Sequence, residues 1–201
     1  MVALGTGIGG ALIMDGRVRR GAHHMAGEFG HLLVDPLGPE CGCGQRGCWE
    51  QRASGNALGR LARAAATDGR APSLIDLVDG RIADLAGVHV TAAAAAGNAD
   101  ATAVLDEFAR WVAVGLAGLV NICDPELVVI GGGLAESGDL LLDPVRRHLD
   151  THVVGAGRRP KVELIRASAG EASAALGAAL LAGSADPWGG ETHPGVVPKH
   201  E

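Results

Sequence analysis

The chain has 201 residues, with 17 Lys+Arg against 23 Asp+Glu, and its formal net charge of −6 leaves no basic footprint for nucleic acid. Tyrosine is absent and only two phenylalanines and three tryptophans occur, so alanine, leucine, valine and glycine must fill the core of a single domain of this size. Met-Val-Ala-Leu-Gly-Thr-Gly at the start lacks the basic and apolar regions of a signal peptide, and no segment approaches ~18 uninterrupted apolar residues. Neither a leader nor a membrane span is predicted, and with its cysteines read as reduced the chain is expected in the cytoplasm.

Val2 to Leu4, Ile8 to Met14 and Val18 to Arg20 read as strands, with Asp15-Gly16 as a hairpin turn. Between the first two lies Gly5-Thr6-Gly7-Ile8-Gly9-Gly10, whose backbone N–H groups and threonine hydroxyl suit phosphate oxygens. Glycine turns of this kind also serve simply to reverse a strand. Residues 21–30 read as a loop in which His23 and His24 face solvent.

The densest chemistry follows. Cys41, Cys43 and Cys48, three of the four cysteines, fall within eight residues, and His31 lies ten positions before the first of them. Three thiolates and an imidazole form the tetrahedral N/S set that Zn²⁺ prefers, with no position open for a catalytic water. Gly42, Gly44 and Gly47 between the thiols can take the turns that wrap a small ion. The competing reading is a disulfide with a spare thiol, but Cys-x-Cys is poorly spaced for a bridge and an odd cluster leaves one sulfur unpaired. Glu28 precedes His31 by three residues, so a helical turn would put both on one face, and Glu50 returns to the knuckle beyond Cys48. Taken alone, each glutamate reads better as an exposed charge than as a ligand-binding group.

A helix is predicted over 54–68, capped by Ser54, and small helices over Leu74 to Val78 and Thr91 to Ala96. The clearest helix runs from Ala99 to Cys123, where Val104, Leu105, Phe108, Trp111, Val112, Leu116, Leu119 and Val120 trace one apolar stripe. Gly115 and Gly118 each cost about 1 kcal/mol against alanine there, which predicts close packing against a neighbour. Trp111 is expected in the core, and Cys123 as a buried small hydrophobe. Asp124-Pro125 ends the helix, Leu127 to Ile130 is a buried strand, and Gly131-Gly132-Gly133-Leu134 follows at its carboxyl end, where α/β proteins bind ligands. A helix over 139–151, a strand over 162–165 and a helix over 171–181 complete the fold. Residues 184–201, with three prolines and three glycines, are expected to be a disordered tail.

Ala-Gly-Glu-Phe-Gly-His (26–31) followed by Cys-Gly-Cys-Gly-x-x-Gly-Cys-Trp-Glu (41–50) resembles the signature of the ROK family of sugar kinases and sugar-responsive repressors. The resemblance runs from residue 1 to about residue 183, and Trp-Glu-Gln-x-Ala-Ser-Gly (49–55) and Gly-Gly-Gly-Leu (131–134) bring it nearest to the bacterial ATP-dependent glucokinases. It implies an α/β fold: the carboxy-terminal lobe of the actin-like, hexokinase (ribonuclease H-like) ATPase architecture, a mixed sheet flanked by helices with a zinc knuckle. Residues 1–183 would be the sugar- and ATP-binding lobe. It implies that Glu28, His31 and Glu50 hold sugar hydroxyls, and that Gly5, Thr6 and Gly7 form the second phosphate loop. Gly131, Gly132 and Gly133 would be the adenosine turn, and His31, Cys41, Cys43 and Cys48 the ligands of a structural Zn²⁺. His31 would bind the metal through one ring nitrogen and face the sugar with the other.

The implied reaction is phosphoryl transfer from ATP, with Mg²⁺, to the 6-hydroxyl of glucose, in a homo-oligomer with no nucleic-acid or membrane partner. Two family elements are missing: neither an Asp-x-Gly-Gly-Thr segment nor an Asn-Asp pair occurs in the chain, so no catalytic base is assigned in it. Gly170-Glu171-Ala172 also stands where relatives often carry Asn-Asp-Ala. The chain therefore reads as a truncated or misassigned carboxy-terminal lobe. One alternative is the lobe of a sugar-sensing repressor, which would need a helix-turn-helix and predicts eroded ATP-binding glycines. Another is a kinase for fructose or N-acetylmannosamine.

Overall fold

A computed structural model describes residues 1–183, and the tail expected at 184–201 lies outside the described residues. Strands β1 (Val2–Leu4), β2 (Ile8–Gly10), β5 (Leu127–Gly131) and β6 (Glu163–Arg166) form a four-stranded sheet in the order β2-β1-β5-β6. The sheet is mixed: β1 pairs antiparallel with β2 and parallel with β5, which pairs parallel with β6. A separate ribbon joins β3 (Ile13–Met14) to β4 (Arg17–Val18) through Asp15 and Gly16, both at positive φ (55° and 73°) as a tight hairpin turn requires. The single strand expected over residues 8–14 is thus divided. Ala11 and Leu12 leave the sheet, and the chain enters the second ribbon, whose strands are exposed on both sides.

The helices are α1 (Glu50–Ala53), α2 (Gly55–Thr67), α3 (Ser73–Asp76), α4 (Gly87–Ala95), α5 (Ala99–Cys123), α6 (Asp139–His152) and α7 (Ser173–Gly183). Ser54 caps α2 by accepting from the Ala57 N–H at 3.2 Å, and Asn98 caps α5 by accepting from the Ala101 N–H at 2.9 Å. Asp124 stops α5 in the left-handed region (φ 42°, ψ 55°), just before Pro125. Helix α5 is the spine of the molecule, packing on α1, α2, α4 and α6. Two expectations for it change. Trp111 is only half-buried at the core's edge, flanked by the guanidinium groups of Arg52 and Arg110 at 5.0 and 4.6 Å from its ring, and Cys123 is partly exposed at the helix end. No helix of the described residues is long and apolar enough to cross a membrane.

This topology puts the two glycine-rich turns side by side. β1 and β5 are parallel neighbours with Ala3 opposite Gly131, so Gly5–Gly7 and Gly132–Gly133 leave the same, carboxyl edge of the sheet. Contact between the strands makes glycine obligatory at 132: φ is +82°, and a Cβ there would lie 2.4 Å from the Leu4 carbonyl oxygen.

Candidate functional site

The knuckle is built from two short stretches that the chain brings together. Leu33 bridges Cys48, the Trp49 N–H donates to the Leu32 carbonyl at 2.7 Å, and the Val34 N–H donates to the Gly47 carbonyl at 3.0 Å. A 3₁₀ turn over Phe29–His31 precedes the first stretch. Close packing fixes that turn against β2: a Cβ at Gly30 would sit 2.4 Å from the Ile8 carbonyl oxygen, and one at Gly10 would sit 2.1 Å from the Phe29 ring. Gly47 is required in the same sense, at φ +75° with the Asp35 carbonyl oxygen 1.6 Å from any Cβ.

These constraints bring His31, Cys41, Cys43 and Cys48 together, with all four candidate ligand atoms within 4.8 Å of one another. The Cys43 and Cys48 sulfurs are 3.6 Å apart, and Cys41 Sγ is 3.7 Å from His31 Nδ1. A tetrahedral Zn²⁺ with bonds of about 2.3 Å to sulfur has ligand–ligand edges of about 3.8 Å, so the donor set fits that ion in chemistry and in size. Burial pushes the Cys48 thiol up to about 12, with Cys43 and Cys41 adding to the shift, while a backbone N–H from Gln45 holds the Cys43 thiol below its ordinary value. A metal that binds here would do so through thiolates, releasing the thiol protons.

The predicted sugar ligands each meet the cluster or its flank. His31 Nε2, on the far side of the ring from the sulfurs, is 3.8 Å from Glu28 Oε2. Glu50 Oε1 accepts from the Cys41 thiol at 3.3 Å, and its Oε2 accepts from the Ile8 N–H at 3.4 Å. Its carboxylate thus stands between the knuckle and the first glycine turn, and a Cβ at Gly7 would come within 2.7 Å of Oε2. That turn is tied down in its own right: the Gly5 carbonyl accepts from the Gly55 N–H at 2.7 Å, at the start of α2, and Thr6 is exposed. His23 and His24 are exposed, as expected.

Several side chains that hold the knuckle were not singled out from the sequence. Trp49 is fully buried, donates its indole N–H to the Trp111 carbonyl at 2.9 Å, and lies so close to α5 that a Cβ at Gly115 would come within 2.0 Å of its ring. This is the close neighbour predicted for Gly115; open space surrounds Gly118, whose glycine the structure does not explain. Arg52 Nε donates to Asp35 Oδ2 at 2.8 Å, clamping α1 to the knuckle's first stretch. Gln51 and Arg60 reach in from α1 and α2. Gln51 was visible within Trp-Glu-Gln, but nothing local marks Arg60.

Residues 1–185 match the ROK family. A glucokinase of Streptomyces coelicolor is 45% identical over 188 residues, which cover 92% of this chain and 59% of that protein. The crystal structure of a ROK family glucokinase from Streptomyces griseus, in complex with glucose and AMPPNP, superposes with a TM-score of 0.82 at 42% identity, covering 90% of this chain and 58% of that one. A ROK family transcriptional regulator is more distant, at 28% identity and a TM-score of 0.68 over 82% of this chain and 40% of that one. The chain therefore spans about three fifths of the length of the glucokinases it resembles. On these matches, this chain belongs to the ROK family.

Proposed function

We propose that residues 1–183 form the sugar- and ATP-binding lobe of an ATP-dependent glucokinase, and that the Cys/His cluster is a zinc knuckle that shapes the sugar pocket. The position of Glu50 carries this reading: one carboxylate touches a candidate metal ligand through one oxygen and the backbone of the first glycine turn through the other. Sugar hydroxyls are donors, and a carboxylate fixed in a packed site accepts them through strong, charge-assisted bonds. Glu28 and the Nε2 edge of His31, 3.8 Å apart, would supply further polar atoms. The metal would hold His31 and the three sulfurs in one arrangement and perform no chemistry. Gly5–Gly7 and Gly131–Gly133, adjacent at the sheet edge, suit the phosphate and adenosine ends of one nucleotide, with Mg²⁺ accompanying the phosphates. Intact glycines at both turns favour the kinase over the repressor reading.

Transfer also needs a carboxylate to take the hydroxyl proton, and the Asn-Asp pair that supplies it in relatives does not occur in these residues. The chain alone is expected to turn glucose over at least about 10²-fold more slowly than a full-length relative, because general-base catalysis is worth about 10² to 10⁴. Glucose titration by calorimetry tests the pocket. The chain should bind glucose, and Glu50→Gln should weaken binding by roughly ten- to a hundredfold, as the loss of a hydrogen bond to a charged group implies. A zinc-loaded chain with no heat of glucose binding would overturn the reading.

A further inference from the structure

Glu50 and Cys41 pose an electrostatic problem. Their reacting atoms are 3.3 Å apart, and once Cys41 is a metal-bound thiolate it has no proton to donate, so two anionic acceptors face each other. The side-chain amide of Gln51 lies against both, with Nε2 3.7 Å from Cys41 Sγ and 3.4 Å from Glu50 Oε1. Two N–H donors aimed at two anions stabilise both, but only if the amide points its nitrogen inward. With Oε1 turned inward, a third acceptor would face the pair.

What sets that orientation is on the opposite side of the amide. Arg60 Nη2, from α2, donates to Gln51 Oε1 at 3.0 Å and to the Gln51 backbone carbonyl at 2.8 Å. A guanidinium has no acceptor, so it can be satisfied only by the oxygen end, which forces the nitrogen toward Cys41 and Glu50. Two bonds from one guanidinium nitrogen to the side-chain and backbone oxygens of the same residue fix Arg60 against Gln51.

We infer that Arg60 and Gln51 form a positioning relay: Arg60 fixes the Gln51 amide, which orients the thiolate of Cys41 and the carboxylate of Glu50 for metal and sugar. This rests on the metal-knuckle reading above. Neither residue need touch the bound metal, and outer partners of this kind are typically worth about 10- to 100-fold in metal affinity.

The test is zinc competition between the full chain and a chromogenic chelator, for wild type, Arg60→Met, Gln51→Met and the double variant. Arg60→Met and Gln51→Met should each weaken zinc by about tenfold or more. Because Arg60 acts through Gln51, the double variant should be no weaker than Gln51→Met alone. Arg63→Met on the same helix is the control: its guanidinium donates to the Leu85 carbonyl at 2.6 Å, away from the knuckle, and zinc affinity should stay at the wild-type value. Gln51→Glu, which adds a third carboxylate, should be the weakest single variant. In Co²⁺-loaded protein, Arg60→Met should shift the thiolate-to-cobalt charge-transfer band, which a general loss of stability would not do. Additive effects in the double variant, unchanged affinity in Arg60→Met, or an equal loss in Arg63→Met would overturn the relay and leave the knuckle standing. A wild type that retains no zinc at all would overturn the knuckle reading and the relay together.

Discussion

Helix α5 and the knuckle over residues 31–49 are neighbours held by opposite means. The helix buries twelve of its residues along one continuous stripe and is fixed at both ends, by Asn98 and by Asp124. The knuckle has no helix or strand of its own beyond its entry turn; its backbone pairs through two isolated bridges, and of its side chains only Cys41, Cys48 and Trp49 are buried. Apolar burial can hold the first. The second is tied to its neighbours by a few polar side chains, such as Arg52 on Asp35, and by one indole pressed against α5, with the cysteine and histidine cluster at its other end. The difference teaches how each region is anchored: the knuckle leans on the helix through Trp49, and under the proposed reading a bound metal would shape the rest of it.

Breaking the join between the two regions should have the largest effect. Trp49→Ala removes a fully buried ring and its bond to the Trp111 carbonyl, and should cost about 3–5 kcal/mol in urea unfolding. Next comes Gly115→Ala. Helix propensity alone would make alanine more stable by about 1 kcal/mol. Here its Cβ would fall 2.0–2.4 Å from three indole atoms, so overpacking should win and the variant should be destabilised by about 1–3 kcal/mol. A stabilised Gly115→Ala would show that Trp49 is not held against the helix. The smallest effect is at the start of α5, where the Asn98 amide also donates to Ser73 at 2.9 Å. Asn98→Ala removes the α5 cap and should lower global stability by about 1 kcal/mol while leaving metal content unchanged.

How far the sequence led depended on the range over which each signal acts. The extent of α5, read as about Ala99 to Cys123, was legible because cap, stripe and terminator are all local. The four candidate ligands were legible by residue type, and Glu28 with His31 by their spacing on one turn. Contacts across long separations were not. That Gly115 makes room for Trp49, that Gly132 yields to the Leu4 carbonyl, and that Arg60 reaches Gln51 are tertiary facts with no periodic trace. The division of the predicted second strand at Ala11 was missed for a related reason: a run of apolar residues gives strand character without saying which sheet receives it.

Metal analysis of the purified chain, followed by amide hydrogen exchange before and after chelation, tests most directly whether the ligand set shapes the pocket wall. Stoichiometric zinc is predicted, with chelation releasing amide protection across residues 31–49 while α5 stays protected. Absence of stoichiometric metal, or identical knuckle protection with and without chelator, would contradict the account.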